Sequence, residues 1–310
     1  PMNSNRYFDL PVICLLGPTA SGKTELALKL SKEFPLDIIN VDSAQIYRGM
    51  DIGTAKPSKE TLEQFPHRLI DILDPEKSYS VGNFIKDANI EIKRIHNDGR
   101  IPLLVGGTML YFHALIEGLS DLPESDKNIR NIINTEAKLI GWPEMHNKLA
   151  DIDHIAAKKI NPHDSQRIQR ALEVFELSGR NITDWQSKKN KNNDYRFIKF
   201  AINHHSRIEI HQRINARFLR MLDEGFIQEV QLLKQREYLT SDHSSMRAVG
   251  YRQIWAYLDD LITIEEATKK AQASTRQLAK RQITWLRNTT SAIPVDLDGK
   301  NVMTIINSKI

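Results

Sequence analysis

The chain has 310 residues, of which 40% are hydrophobic and 26% are charged, with one cysteine, Cys14, and a formal net charge of +4. Such a chain can fold into one large or two ordinary domains, and its single cysteine excludes both an internal disulfide and a cysteine-based structural zinc site. No apolar run reaches about 18 residues and no leader pattern is present, so we expect a cytoplasmic protein with no membrane partner.

Short apolar runs alternate with helical patterns in the first third of the chain. Strands are predicted at residues 11–16, 37–41, 68–73 and 101–105. The periodicity of apolar residues predicts helices after Thr24 and over residues 81–96. This alternation is typical of an α/β fold with a parallel sheet.

From Gly118 onward the sequence predicts helices and loops. One helix is marked by Asn161 as N-cap, Pro162 at the first helical position and Gly179 as the stop. The polar stretch at residues 187–194 is typical of a loop or hinge.

The last third returns to a strand pattern. Residues 197–202 predict a strand, and long helices follow to about Asn288. We therefore expect one α/β core, made of residues 6–117 and 196–310, which is interrupted by a helical insertion domain at residues 118–195.

A glycine-rich segment follows the first predicted strand and opens the first predicted helix. Its residues are Gly17, Pro18, Thr19, Ala20, Ser21, Gly22, Lys23 and Thr24. They satisfy G-x-x-x-x-G-K-[ST], a phosphate-binding loop (P-loop) in which backbone N–H groups and the helix amino terminus surround a phosphate. Lys23 adds a point charge, and the Thr24 hydroxyl can ligate Mg²⁺. The motif predicts a polyphosphate ligand without saying which.

Polar residues also follow two other predicted strands. Asp42 can hold Mg²⁺, act as a general base, or cap the next turn through its own side chain. Thr108, after Gly106 and Gly107, can hydrogen-bond a substrate or N-cap the next helix. Because open α/β sheets bind ligands at the carboxyl ends of their strands, we expect both residues beside the P-loop.

Positive charge is concentrated in the predicted carboxyl-terminal helix. Residues 267–295 contain six basic residues and no acidic one. Arg276, Lys280 and Arg287 are separated by four and seven residues, so they share one face of the helix. This face is either a solvated basic stripe or, with other arginines of the chain, a surface for a nucleic-acid backbone.

Three classes of protein remain open on these features. A P-loop small-molecule kinase would use Asp42 at its acceptor but leaves the basic helix unexplained. A nucleotide-switched RNA-binding protein would leave Asp42 and Thr108 unused. The third class is an enzyme that holds the diphosphate of a group that it transfers to a nucleic acid.

Five segments, in this order, resemble the bacterial tRNA dimethylallyltransferase family, also called tRNA isopentenyltransferases. They are GPTASGKT at 17–24, VDSAQIYRGMDIGTAKP at 41–57, HRLIDILDP at 67–75, IPLLVGGTMLYFHAL at 101–115 and RQLAKRQITWLR at 276–287. The resemblance implies a P-loop NTPase-like core and Mg²⁺-assisted transfer of a dimethylallyl group from dimethylallyl diphosphate. The acceptor would be N6 of the adenosine on the 3′ side of the anticodon (position 37), in tRNAs that read codons beginning with U.

The resemblance also implies roles for individual residues. The P-loop and Arg217 would hold the diphosphate, Asp42 would accept the N6 proton, and Thr108 would orient the amine. The residues that it assigns to the tRNA anticodon stem-loop are Asp42, Ser43, Ala44, Gln45, Thr108, Arg130, Gln166, Arg167, Ile168, Gln169, Arg170, Arg247, Ala248, Val249, Gly250, Tyr251, Arg252, Lys280, Arg281, Gln282, Ile283, Thr284, Trp285, Leu286 and Arg287. We expect the enzyme to be a monomer.

Overall fold

The computed structural model describes residues 10–188, 194–289 and 291–310. Residues 6–9 of the expected core and residues 189–193 of the expected polar loop lie outside this range. The chain divides into two compact units. The first unit combines Pro1–Phe112 with Asn193–Ile310, and the second is His113–Asn192, where the sequence predicts a helical insertion at residues 118–195.

In the first third of the described chain strands alternate with helices, as the sequence pattern predicts, and after it helices predominate. The strands are β1 (Val12–Leu16), β2 (Leu36–Val41), β3 (His67–Arg68), β4 (Ile101–Gly106), β5 (Phe197–Ala201) and β6 (Ile293–Pro294). The helices are α1 (Lys23–Glu33), α2 (Lys59–Gln64), α3 (Val81–Asn97), α4 (Met109–Glu117), α5 (Lys127–Ile140), α6 (Trp142–Ile152), α7 (His154–Lys159), α8 (Ser165–Ser178), α9 (Ile182–Gln186), α10 (Arg207–Asp223), α11 (Phe226–Lys234), α12 (Tyr251–Leu258), α13 (Ile264–Asn288) and α14 (Lys300–Lys309). A 3-10 turn, Ser244–Arg247, precedes α12.

Within the described residues, six strands form one parallel sheet in the order β3-β2-β4-β1-β5-β6. The central strands are continuous apolar runs because helices surround the sheet; all five residues of β1 are buried. In register, Leu16 of β1 and Val41 of β2 both lie beside Gly106 of β4. The residues that follow these three strands are therefore brought to one edge of the sheet.

Two expectations from the sequence are wrong in detail. The strand predicted at residues 68–73 shrinks to His67–Arg68, because Leu69 and Asp71 have φ angles of 61° and 53°, which no strand accommodates. The helix predicted to open at Pro162 begins at Ser165 instead.

Each unit has its own apolar core. In the first unit, β1 residues such as Ile13 and Leu15 pack with α1 and α14, while a separate cluster surrounds Phe226 and Tyr251 between α10 and α13. In the second unit, helices α5 to α9 enclose a cluster that includes Leu149. None of the helices in the described part of the chain is both long and apolar enough to span a bilayer.

Candidate active site

The P-loop connects β1 to α1 at the carboxyl edge of the sheet. Gly22 has φ 88° and Ala20 has φ 62°, so the chain turns through left-handed backbone at two places within the loop. Gly17 has no room for a side chain, because a Cβ there would lie 2.6 Å from Ser21 Oγ. The tight turn brings the loop back over the amino terminus of α1, whose first N–H groups have no partner within the helix.

Two half-buried cations line this loop. Lys23 Nζ donates to the Pro18 carbonyl at 2.7 Å, and Arg217 of α10 donates to the Thr19 hydroxyl. Burial and, to a smaller extent, the neighbouring positive charge of Arg217 lower the pKa of Lys23 to about 7, although Asp42 acts in the opposite direction. Burial also lowers the pKa of Arg217. Two cations facing one carboxylate in a desolvated site favour the binding of an anion.

The loop also contains a buried polar group without an intramolecular partner. The Ser21 side chain is buried, and in the described part of the chain its Oγ has no hydrogen-bond partner. Buried hydroxyls are ordinarily hydrogen-bonded. An anionic oxygen within the loop would satisfy this hydroxyl together with the helix N–H groups and the two cations.

Asp42 and Thr108 are brought together at the same sheet edge. Asp42 Oδ1 accepts from the backbone N–H groups of Ala44 and Gln45 at 2.8 and 3.1 Å, so the carboxylate does cap its own turn. Thr108 Oγ1 accepts from the Ser43 backbone N–H at 3.0 Å and so caps this turn. The proximity of Asp42 also raises the pKa of Lys23, which places the carboxylate within electrostatic reach of the P-loop.

The segment after Asp42 is fixed by a carboxylate of α11. Glu229 accepts from the backbone N–H groups of Asp51, Ile52 and Gly53 at 2.9, 2.8 and 3.2 Å, and from the Tyr251 hydroxyl at 2.6 Å. The three N–H groups belong to the motif at residues 41–57. In the same segment, Gln45 Nε2 donates to the Thr54 carbonyl at 2.9 Å, so Gln45 is tied to the part of the loop that Glu229 holds.

Three further side chains support the site, and the sequence patterns do not predict them. His205 Nε2 lies 3.2 Å from the Ser21 carbonyl, and Arg213 donates to the Ala20 carbonyl at 3.3 Å. Burial lowers the pKa of His205. Arg213 stands four residues before Arg217 on α10, a spacing that the sequence does display. His205 and Glu229 have no comparable sequence signal, because only the folded chain brings them to their partners.

The donors present fit a magnesium ion only in part. In the described part of the chain no group of three or more His, Cys, Asp and Glu residues is arranged to hold a metal. Thr24 is exposed in the first turn of α1 and offers one hydroxyl oxygen. Magnesium often takes one or two protein oxygens and completes its shell with phosphate oxygens and water, so this sparse set suits a metal that arrives with a diphosphate.

The predicted tRNA segments of the first unit alternate between exposed and buried residues. Lys280, Arg281, Thr284, Trp285 and Arg287 are exposed on α13, and Ile283 is half-buried. The side chains of Gln282 and Leu286 face the interior. Arg276, expected on the same basic stripe, donates instead to Asn215 Oδ1 at 2.8 Å.

The second such segment lies around the start of α12. Arg247 and Arg252 are exposed, whereas Ala248 and Val249 are half-buried. Gly250 has φ 89°, and the ring of Tyr251 is fully buried. The exposed surface of the segment is therefore formed by its two arginines.

The predicted tRNA residues of the second unit are organised by one buried carboxylate. Glu173 is fully buried and accepts from Arg130 Nε at 3.0 Å and from Arg170 Nη1 at 2.8 Å. Arg167 pairs with Asp164 at 2.6 Å. The remaining members are Gln166, which is exposed, Ile168, which is buried, and Gln169, which donates to Asn134 at 2.6 Å.

Comparison with known proteins shows the family of the chain. Residues 45–289 match the model of the family described as IPP transferase. A tRNA dimethylallyltransferase of Nitrosococcus oceani is 52% identical over 292 residues, which are 94% of this chain and 93% of the relative.

Solved structures show the same likeness. The full-length tRNA isopentenylpyrophosphate transferase of Bacillus halodurans superposes with a TM-score of 0.70 at 37% identity, covering 96% of each chain. The tRNA delta(2)-isopentenylpyrophosphate transferase of Staphylococcus epidermidis gives 0.69 at 33% identity, covering 97% of this chain and all of the other. A eukaryotic dimethylallyltransferase that acts on tRNA shares the fold, with a TM-score of 0.77 at 24% identity over 93% of this chain and 74% of its own.

Proposed function

The chain belongs to the IPP transferase family and is a tRNA prenyltransferase, and we propose that it transfers a dimethylallyl group from dimethylallyl diphosphate to N6 of the adenosine on the 3′ side of the anticodon. The observation that carries this proposal is the half-buried pair of cations at the P-loop, Lys23 and Arg217, at the same sheet edge as Asp42 and Thr108. One half of this arrangement suits a leaving diphosphate, and the other suits an amine that must lose a proton.

The charge of the site matches the chemistry of the donor. An aromatic exocyclic amine is a weak nucleophile because its lone pair is delocalised, so the allylic carbon must be made strongly electrophilic. As N6 forms its bond to that carbon, the bond from the carbon to the diphosphate oxygen breaks, and negative charge grows on the diphosphate. Fixed positive charge and N–H groups of the P-loop stabilise this charge where it develops.

The proton of the amine is taken up at the other side of the site. Asp42 accepts it in our proposal, and Thr108 orients the N6 group beside it. The turn contacts of Asp42 all fall on Oδ1. Within the described residues these turn contacts do not involve Oδ2, which is the oxygen that we propose faces the substrate.

Magnesium is part of the proposal for the donor site. Thr24, with the oxygens of the diphosphate, would hold the ion, which supplies further positive charge for the leaving group when bound.

The tRNA surface is proposed on both units. The exposed basic residues of α13 and around the start of α12, with Arg130, Gln166, Arg167 and Arg170 of the second unit, would bind the phosphate backbone of the anticodon stem-loop, whereas the buried Ile168 would not. The target adenosine must leave its base stack before its N6 can reach the allylic carbon, which costs a few kcal/mol. The backbone contacts would offset this cost. We propose that the enzyme works as a monomer on cytoplasmic tRNA.

The direct test is a transfer assay. The protein is incubated with labelled dimethylallyl diphosphate, Mg²⁺ and unmodified tRNA, and the tRNA is digested for nucleoside analysis. We expect label in N6-isopentenyladenosine and release of diphosphate. Transfer of phosphate from ATP to a small molecule, with the tRNA left unmodified, would instead identify a kinase.

A further inference from the structure

Gln282 lies in the segment of α13 that the family resemblance assigns to tRNA, yet its side chain faces the interior. It is only 7% exposed, and both ends of its amide are hydrogen-bonded within the first unit. Oε1 accepts from the Thr19 backbone N–H at 2.9 Å, and Nε2 donates to the Gly107 backbone carbonyl at 2.9 Å. A side chain that is buried and held at both ends is poorly placed to contact RNA.

The two partners of Gln282 belong to opposite halves of the site. Thr19 is part of the P-loop, and its hydroxyl also accepts from Arg217. Gly107 immediately precedes Thr108, whose Oγ1 accepts from the Ser43 N–H at 3.0 Å beside Asp42. One amide therefore spans from the loop that would hold the diphosphate to the strand end that would hold the amine.

The fit of this side chain is tight. A Cβ at position 107 would lie 2.5 Å from Gln282 Nε2 and 3.2 Å from the Gly17 carbonyl oxygen, so glycine is needed for the amide to bridge here. The side-chain amide cannot shift without breaking one of these two hydrogen bonds. The bridge thus fixes a distance between β4 and the P-loop.

We propose that Gln282 is a positioning residue that sets the spacing between the P-loop and the Asp42–Thr108 pair. The inference rests on the proposed function, because only there do these two groups hold the two reactants. Reacting atoms must approach to about 3–3.5 Å, and a misplacement of about 1 Å can cost roughly 100-fold in rate. Loss of the bridge therefore lowers the rate of chemistry more than the affinity for either substrate.

The test compares Gln282→Met with Gln277→Met on the full chain. Methionine keeps the length and bulk of glutamine but removes the amide, and Gln277 is an exposed glutamine of the same helix outside the proposed site. A second variant, Gln282→Asn, keeps an amide that is one methylene too short to span both partners. For each protein we measure kcat at saturating tRNA, KM for dimethylallyl diphosphate, the Kd of an anticodon stem-loop RNA, and the thermal unfolding midpoint.

We expect both variants at position 282 to lose about 10- to 100-fold in kcat while the RNA Kd and the donor KM change by less than about threefold. Gln277→Met should match the unaltered protein. If kcat of Gln282→Met is unchanged, the positioning role is wrong. If only the RNA Kd rises, Gln282 is an RNA contact; if Gln282→Met fails to fold while Gln282→Asn keeps full kcat, its role is structural. An unaltered protein that does not modify tRNA would refute the proposed function itself, whatever the variants do.

Discussion

The Asp42 carboxylate combines two roles that substitution can separate. Its Oδ1 accepts two backbone N–H groups of the following turn, and an asparagine Oδ1 can accept the same bonds. Asparagine cannot take up a proton from N6. We expect Asp42→Asn to lower the single-turnover rate by about 100- to 10,000-fold, the usual range for loss of a general base.

The contrast with Asp42→Ala makes the test decisive. Alanine removes the turn contacts as well as the base, so it should be at least as slow as asparagine. Binding of the stem-loop RNA to Asp42→Asn should persist, as judged by fluorescence anisotropy. An active Asp42→Asn beside a slow Asp42→Ala would show that Asp42 acts through the turn alone.

Lys23 titrates near neutral pH in the free protein, which makes diphosphate binding depend on pH. Its pKa is lowered to about 7 by burial and by Arg217. A bound anion favours the charged ammonium and so raises this pKa. At pH 8 the free protein holds Lys23 mostly neutral and the complex holds it charged, so binding takes up a proton and affinity falls as pH rises above 7.

Calorimetry measures this proton directly. Inorganic pyrophosphate is titrated into the protein in the presence of Mg²⁺ at pH 8, in two buffers of different ionisation enthalpy. The titration is carried out for the unaltered protein and for Lys23→Met. Pyrophosphate exchanges protons of its own in both titrations, so only the difference reports on Lys23. We expect the unaltered protein to take up as much as about one proton more; equal uptake would place the pKa of Lys23 well away from 7.

At the scale of elements, α11 holds the loop at residues 51–57 through one side chain. Glu229 accepts three backbone N–H groups and the Tyr251 hydroxyl, and burial beside this carboxylate raises the pKa of Tyr251 well above its ordinary value. Hydrogen bonds to a charged acceptor are about twice as strong as neutral ones. The loop in turn carries the carbonyl that binds Gln45.

We expect Glu229→Gln to lower the free energy of unfolding by about 1–3 kcal/mol, because an amide nitrogen in place of Oε2 cannot accept from the Gly53 N–H and the Tyr251 hydroxyl. Urea unfolding followed by circular dichroism measures the loss. Glu224→Gln, an exposed carboxylate at the end of α10, serves as the matched control and should change stability little. Equal stability of the two variants would show that the loop is held by its apolar contacts instead.

The elements also show where sequence patterns succeed and where they fail. The strands β1, β2 and β4 are predictable because buried parallel strands are continuous apolar runs. The length of β3 is not predictable, because left-handed backbone at Leu69 and Asp71 ends the strand despite a strand-like composition. Helix α8 begins at Ser165 because the Asp164 side chain caps it by accepting from the Arg167 N–H. The Asn161 side chain instead accepts from the His163 N–H in a separate turn.

Some parts of the site can likewise be predicted from the sequence and others cannot. The P-loop can be predicted because its chemistry needs a fixed local spacing of residues. The contact of Gln282 with Thr19 joins residues 263 positions apart, and that of Glu229 with Asp51 joins residues 178 apart. No local pattern encodes such pairs, since they exist only after the sheet and α10 to α13 have assembled.

At the scale of the whole molecule, the small net charge conceals an uneven distribution. The formal charge is +4, yet residues 267–295 alone contain six basic residues and no acidic one. Association with a polyanion depends on where positive charge lies, because each phosphate contact releases counterions locally. Two variants of equal net charge should therefore bind RNA differently.

The double variant Lys280→Glu with Arg287→Glu tests this at the exposed face of α13. Lys86→Glu with Lys93→Glu is its control, since both lysines are exposed on α3, outside the proposed tRNA surface. Each pair of reversals brings the formal net charge from +4 to zero. We expect the α13 variant alone to weaken stem-loop binding and to reduce the slope of log K against log salt by roughly 1.5 to 2, the share of two phosphate contacts. Equal slopes in the two variants would mean that α13 presents a solvated face and that only the net charge acts on the RNA.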